Sequence, residues 1–81
     1  MKINYHKQAE KFILSQGVVN AKRIKNAVDR LPLGDVRKIQ GSRKPVLYRL
    51  RVGEYRIVFS IGEGVINVVH ADNRGDAYKK L

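Results

Sequence analysis

The sequence predicts an α+β domain, residues 1–81, with two N-terminal helices packed on one face of a small, mainly antiparallel four-stranded sheet, in the order β-α-α-β-β-β. Three observations carry this expectation. Apolar residues recur at helical spacing before Pro32, the period falls to two after Val46, and glycine-bearing turns separate the later runs.

Met1 to His6 alternates, with Ile3 and Tyr5 on one side, and reads as a short strand. Gln8 to Ser15 carries Ala9, Phe12 and Ile13 at i, i+3, i+4 and reads as a helix that Gly17 ends. Asn20 is the expected N-cap of a second helix with the stripe Ile24, Ala27, Val28 and Leu31. Its polar side carries Lys22, Arg23, Lys25 and Arg30, and Pro32 stops it. LPLGDVRKIQGSRKP, punctuated by Gly34, Gly41 and Pro45, reads as a connection. VLYRLRV, YRIVFSI and VINVVHA are three strands joined by two tight turns, and DNRGDAYKKL reads as a loop and tail.

Gly53-Glu54 suits a two-residue turn with glycine first, the type II′ signature, and that turn fixes a register. Val52 then opposes Tyr55, Arg51 opposes Arg56, Leu50 opposes Ile57, Arg49 opposes Val58 and Tyr48 opposes Phe59. Parity places Tyr48, Leu50, Val52, Tyr55, Ile57, Phe59 and Ile61 on the covered face, and Arg49, Arg51 and Arg56 on the other. Like charges in direct cross-strand contact destabilise by up to ~1 kcal/mol. An anion between the guanidinium groups reverses that effect, because arginine forks match phosphate oxygens. A solvated edge with splayed side chains is the plainer alternative. With Glu63-Gly64 as the next turn, Phe59 opposes Val68, Val58 opposes Val69 and Ile57 opposes His70. That register puts His70 on the covered face, as a core or rim histidine. His6 has no identifiable partner and reads as a surface residue.

Charge supports the anion reading. Seventeen Lys+Arg against seven Asp+Glu give a formal net charge of +10. Ten basic residues and only Asp29 and Asp35 lie between Asn20 and Arg51. Such a field attracts nucleic acid or acidic protein surfaces. Arg37, Lys38, Arg43 and Lys44 are candidate phosphate contacts, which position a substrate without reading its sequence. The chain has no cysteine, which excludes disulfides and thiolate metal sites. No apolar stretch approaches the ~20 residues of a membrane span, and the polar start MKINYHKQAEKF lacks a signal-peptide core. A soluble, cytoplasmic protein with no membrane partner is expected.

The pattern LPLGDVRKIQG, then YRLRVGEYRIVF, then DNRGDAYKK resembles the RelE/ParE superfamily of bacterial toxins, and more closely its RelE branch. The resemblance covers nearly the whole chain, since MKINYHKQAEKFI and the helix before Leu31-Pro32 also look like that family's opening. It implies a RelE-like fold and the toxin of a type II toxin–antitoxin pair. The implied activity is an mRNA interferase, a ribosome-dependent endoribonuclease that cuts mRNA in the A site and so inhibits translation. Implied partners are a cognate antitoxin, mRNA and the ribosome, at the 16S rRNA region of the A site. No metal and no cofactor are implied. The RNA's own 2′-OH attacks the adjacent phosphorus, leaving a 2′,3′-cyclic phosphate and a 5′-hydroxyl. Carried over by position, the catalytic residues are Arg49 and Arg51, Arg56 after the turn, Arg74 in the C-terminal loop, and Tyr78.

Elementary chemistry agrees in kind. Guanidinium groups stabilise charge on nonbridging oxygens, and Tyr78 can stack under a splayed base. Tyr78 can equally be an aromatic lid on the core, and Arg74 a turn residue pairing Asp72 or Asp76. Family members with the best-defined catalysis carry lysines at the positions of Arg49 and Arg51. Arginine does not give up its proton in practice, so the general base stays open between Arg51 as a polarising group, a histidine and ribosomal RNA. Two other classes stay open as well. One is a ParE-like inhibitor of gyrase that cuts nothing, the other a basic RNA- or ribosome-binding module without toxicity.

Overall fold

The computed structural model describes residues 2–73. In chain order these form β1 (Lys2–Tyr5), α1 (Lys7–Ser15), α2 (Val18–Asp29), β2 (Asp35–Lys38), β3 (Tyr48–Val52), β4 (Tyr55–Gly62) and β5 (Val65–Asp72). The strands make one five-stranded mixed sheet in the order β1-β5-β4-β3-β2. β1 lies parallel to β5, and the other pairings are antiparallel.

The expected four-stranded sheet is thus overturned by a fifth strand, β2, inside the segment read as a connection. Its sequence DVRK is four residues long and mostly charged, with a single apolar position, Val36. Such a strand has too little alternation to stand out between glycines, and short, charged strands are what sheet edges tolerate. β2 owes its place to pairing with β3, in the register Asp35↔Arg51, Val36↔Leu50, Arg37↔Arg49 and Lys38↔Tyr48.

Both helices lie on one face. Ala9 and Ile13 of α1 and Ile24 and Val28 of α2 are fully buried against Leu50, Ile57, Phe59, Ile66 and Val68. Each of the larger side chains, Ala9 apart, contributes about 1.5–3 kcal/mol on burial. Phe12 meets Tyr55 edge-on at 6.0 Å, and Tyr48 stacks on Phe59 at 5.5 Å. The second helix starts earlier than Asn20. Gly17 stands at its N-cap with φ +93°, while the Asn20 amide donates to the Gln16 carbonyl. Arg30 closes α2 just before Pro32, where proline forbids another turn.

The first hairpin has the register that its turn specifies, including Arg51↔Arg56 and Val52↔Tyr55. Gly53 takes φ +59°, and the Arg23 guanidinium lies where a Cβ at Gly53 would sit, at 2.7 Å. The second hairpin turns through Glu63 and Gly64, both at positive φ. Its register does not run through unbroken. Phe59 opposes Val68 and Ile57 opposes Ala71, with a shift between Val58 and Phe59. One extra residue on β5 reverses the parity of everything beyond it.

Candidate nucleic-acid interface

That shift decides what the uncovered face contains. His70 opposes Val58 and Asp72 opposes Arg56, so both side chains share the arginine face instead of the covered one. The expected register, with His70 opposite Ile57, missed this because parity counting has no means of seeing a bulge.

Two rows run across the uncovered face. The first reads Asp35, Arg51, Arg56, Asp72 over β2, β3, β4 and β5, each residue directly opposite the next. The second reads Arg37, Arg49, Val58, His70. Val58 and Ser60 share the parity of this face and are buried in it. Four guanidinium groups therefore stand against two carboxylates and one imidazole.

The repulsion between Arg51 and Arg56 is relieved in part by the acids at either end of their row. Asp72 Oδ2 accepts from Arg56 Nη2 at 2.9 Å, a pair with both side chains mostly covered. The same oxygen lies 2.8 Å from His70 Nε2. Asp35 reaches diagonally to Arg49 Nη2 at 3.5 Å, a long and partly exposed contact that holds weakly. Arg51 is exposed and has no ion pair among the described residues. Arg56 Nε is buried without a hydrogen-bond partner there. The Arg51 fork is thus open to an incoming anion, while Arg56 Nε is enclosed and only the outer part of its guanidinium reaches solvent.

The β5 end of this face is held from outside the sheet. β1 stops at Tyr5 and leaves the last part of β5 without a strand partner on that side. The Gln8 side chain, from the first turn of α1, fills the place. Its Nε2 donates to the Ala71 carbonyl at 3.1 Å, and its Oε1 accepts from the Ala71 N–H at 3.0 Å. Ala71 sits between His70 and Asp72, so this backbone-like pair fixes both.

Arg37 joins the second row, whereas Lys38 has the parity of Tyr48 and belongs to the other side of β2. Arg43 and Lys44 are exposed in the loop between β2 and β3. That loop is tied by the Ser42 hydroxyl, which donates to the Ile39 carbonyl at 2.7 Å and accepts from the Leu47 N–H at 2.9 Å. Arg74 and Tyr78 lie outside the described residues. Sequence reasoning missed His70, Asp72, Asp35 and Gln8. His70 and Asp72 are two apart on β5 and so share a face, but the sequence reading put His70 on the covered face and Asp72 in the loop DNRGDAYKKL, whereas β5 runs through Asp72.

A second surface lies beside α2. A cleft of about 660 Å³ is lined by Val18, Val19, Lys22, Arg23, Ala27 and Val52 among others. A smaller one of about 250 Å³ continues past Arg30 and Leu33 to Arg51. Val18, Val19 and Leu33 are exposed by 86%, 80% and 71%, so the floor is apolar. Lys22, Arg23, Arg30 and Arg51 rim it, with no acid in either lining.

No family model matches the chain, and no curated protein matches it. Solved structures do. The chain is similar to one in the crystal structure of the archaeal RelE–RelB complex from Pyrococcus horikoshii OT3, with 28% identity and a TM-score of 0.72, over 91% of this chain and 94% of that one. It is also similar to one in the RelB–RelE antitoxin–toxin complex from Methanococcus jannaschii, with 26% identity and a TM-score of 0.68, over 96% and 98%. The fold is thus related to chains of toxin–antitoxin complexes.

Proposed function

We propose that this chain is the toxin of a type II toxin–antitoxin pair, a ribosome-dependent endoribonuclease that cleaves mRNA in the A site by 2′-OH attack. The observation that carries the reading is the pair of rows on the uncovered face, with an exposed Arg51 beside a part-buried Arg56. The likeness to RelE–RelB complexes supports the toxin–antitoxin setting.

In this reading the phosphodiester lies over the first row. Arg51 and the solvent-facing part of the Arg56 guanidinium take the nonbridging oxygens, where charge grows as the 2′-oxygen attacks. The Asp72 carboxylate holds Arg56 in place beforehand, so the fork is set before substrate arrives. Arg49 and Arg37 hold the neighbouring phosphate, and Arg43 and Lys44 extend the track as electrostatic contacts. Lys38 is the weakest of these candidates because of its parity. Arg74 and Tyr78 keep the roles that the resemblance implies, a phosphate contact and a stacking platform.

The antitoxin is assigned to the cleft beside α2. A cationic rim without acids over an apolar floor fits an acidic amphipathic segment. Because Arg51 borders both the cleft and the arginine rows, a segment lying there competes with RNA for the same guanidinium group.

Expression of the chain without a partner tests the reading. Codon-phased 5′ ends in cellular mRNA are expected. Gyrase-linked DNA breaks with intact mRNA support the ParE-like alternative instead, and normal growth with intact RNA leaves a non-toxic binding module.

A further inference from the structure

We propose that His70 is the general base of the cleavage site and that Asp72 is the positioning residue that prepares it. This inference rests on the nuclease reading above and names a residue that the resemblance does not supply. Its starting point is a deficiency. The arginines at the site cannot accept the proton of a 2′-hydroxyl, because a guanidinium stays protonated at any physiological pH. An imidazole is the side chain suited to that task near neutrality.

The bulge in β5 brings one to the site. His70 stands in the second row, on the same face as Arg37 and Arg49, and one row from Arg56. Its side chain is 44% exposed and thus open to substrate. Its Nε2 faces the Asp72 carboxylate at 2.8 Å. With Asp72 ionised, Nε2 carries the proton and donates, which leaves Nδ1 as the lone-pair acceptor. The same carboxylate oxygen receives Arg56 Nη2, so the base and one phosphate-binding arginine are referenced to a single atom. This is the logic by which a carboxylate orients a catalytic imidazole in acyl transfer, applied to phosphoryl transfer.

The 2′-oxygen forms a bond to phosphorus while its proton passes to His70 Nδ1. The bond from phosphorus to the 5′-oxygen breaks, its electron pair stays on that oxygen, and water supplies the proton. The products are a 2′,3′-cyclic phosphate and a 5′-hydroxyl, and the imidazolium returns its proton to solvent. The charged groups facing His70 are Arg37 and Arg49 along its row, and Arg56 and Asp72 beside it. Arg51 and Asp35 lie beyond.

The test uses the full chain on ribosomes programmed with an mRNA, with single-turnover cleavage followed from pH 5.5 to 8.5. His70→Gln, which keeps a donor for Asp72 but accepts no proton, is expected to lose roughly 10²–10⁴-fold in rate and the acidic limb of the profile. His70→Ala is expected to recover part of its rate with added imidazole, which a structural role would not produce. Asp72→Asn is expected to lower the rate and to retain the acidic limb that His70→Gln loses. Thermal melts establish that each variant is folded. Wild-type rates in folded His70→Gln, with Arg51→Ala inactive, would overturn the base assignment while the nuclease reading stands. Failure of the unmodified chain to cut programmed mRNA would overturn both.

Discussion

Arg56 and Asp72 are direct partners across β4 and β5 and close an ion pair of 2.9 Å at the inner end of the arginine row. The pair sits at less than a third exposure on either side, so solvent screens it little. It determines where Arg56 points.

Replacing Arg56 with alanine separates site from scaffold. The side chain faces away from the helices, and its loss leaves His70 beside Asp72. Stability is expected to fall by only about 1–2 kcal/mol, the cost of one charge-assisted bond. Cleavage should fall by about 10²–10³, as for removal of one oxyanion donor. Denaturant melts and 5′-end mapping check the two halves. A variant that still arrests growth at equal expression removes Arg56 from the site.

Gln8 tests the support of that site from outside. Gln8→Ala removes both bonds to Ala71. A loss of about 1–2 kcal/mol is expected, with faster amide exchange at Ala71 and Asp72 than elsewhere in the sheet. Unchanged exchange there means that β5 holds its end without α1.

Tyr5 contributes a pH dependence to the fold on the alkaline side. Its hydroxyl is pushed up from 10.0 to about 12, first by burial and then by the charges of Asp29 and Glu10. The unfolded chain therefore loses this proton near pH 10, while the folded chain keeps it until about 12. The contribution of Tyr5 to stability is fully present below pH 10 and is lost as pH rises through this window. After allowance for the solvent at this partly exposed ring, the loss is on the order of 1 kcal/mol. Tyr5→Phe should flatten that part of the stability–pH curve, and an unaltered slope would remove Tyr5 as its source.

The cleft beside α2 predicts how the partner binds. Its rim is cationic and its floor apolar, so both salt and a buried charge should weaken the complex. Raising ionic strength from about 0.1 to 1 M shortens the Debye length from ~10 to ~3 Å and should weaken affinity at least tenfold, about 1.4 kcal/mol. Val19→Asp, on an 80% exposed side chain, should weaken it further without unfolding the domain. Titration calorimetry with the antitoxin measures both. Salt-independent affinity would place the contact elsewhere.

The legible parts of this molecule were those with strong local signals. The glycine turn at Gly53 specified a hairpin register that stands as read, and the stripe of α2 specified a helix whose start lies at Val18 and not after Asn20. β2 was hidden because four residues with one apolar position carry no period, and its pairing depends on β3 rather than on itself. The bulge in β5 was hidden for a different reason. Nothing in VINVVHAD marks an extra residue, yet one residue moved His70 from the covered face to the arginine rows. Thus the arginines were readable as a face, while the groups that orient them came from tertiary pairing.

If the arginine face cuts RNA, programmed ribosomes reveal it. Purified protein is added to ribosomes holding a defined codon in the A site, and mRNA ends are sequenced with their terminal chemistry. Cuts within the A-site codon bearing a 2′,3′-cyclic phosphate, present with the unmodified chain and absent with Arg51→Ala, are the expected result. Intact A-site mRNA with the unmodified chain, or equal cutting by Arg51→Ala, would contradict it.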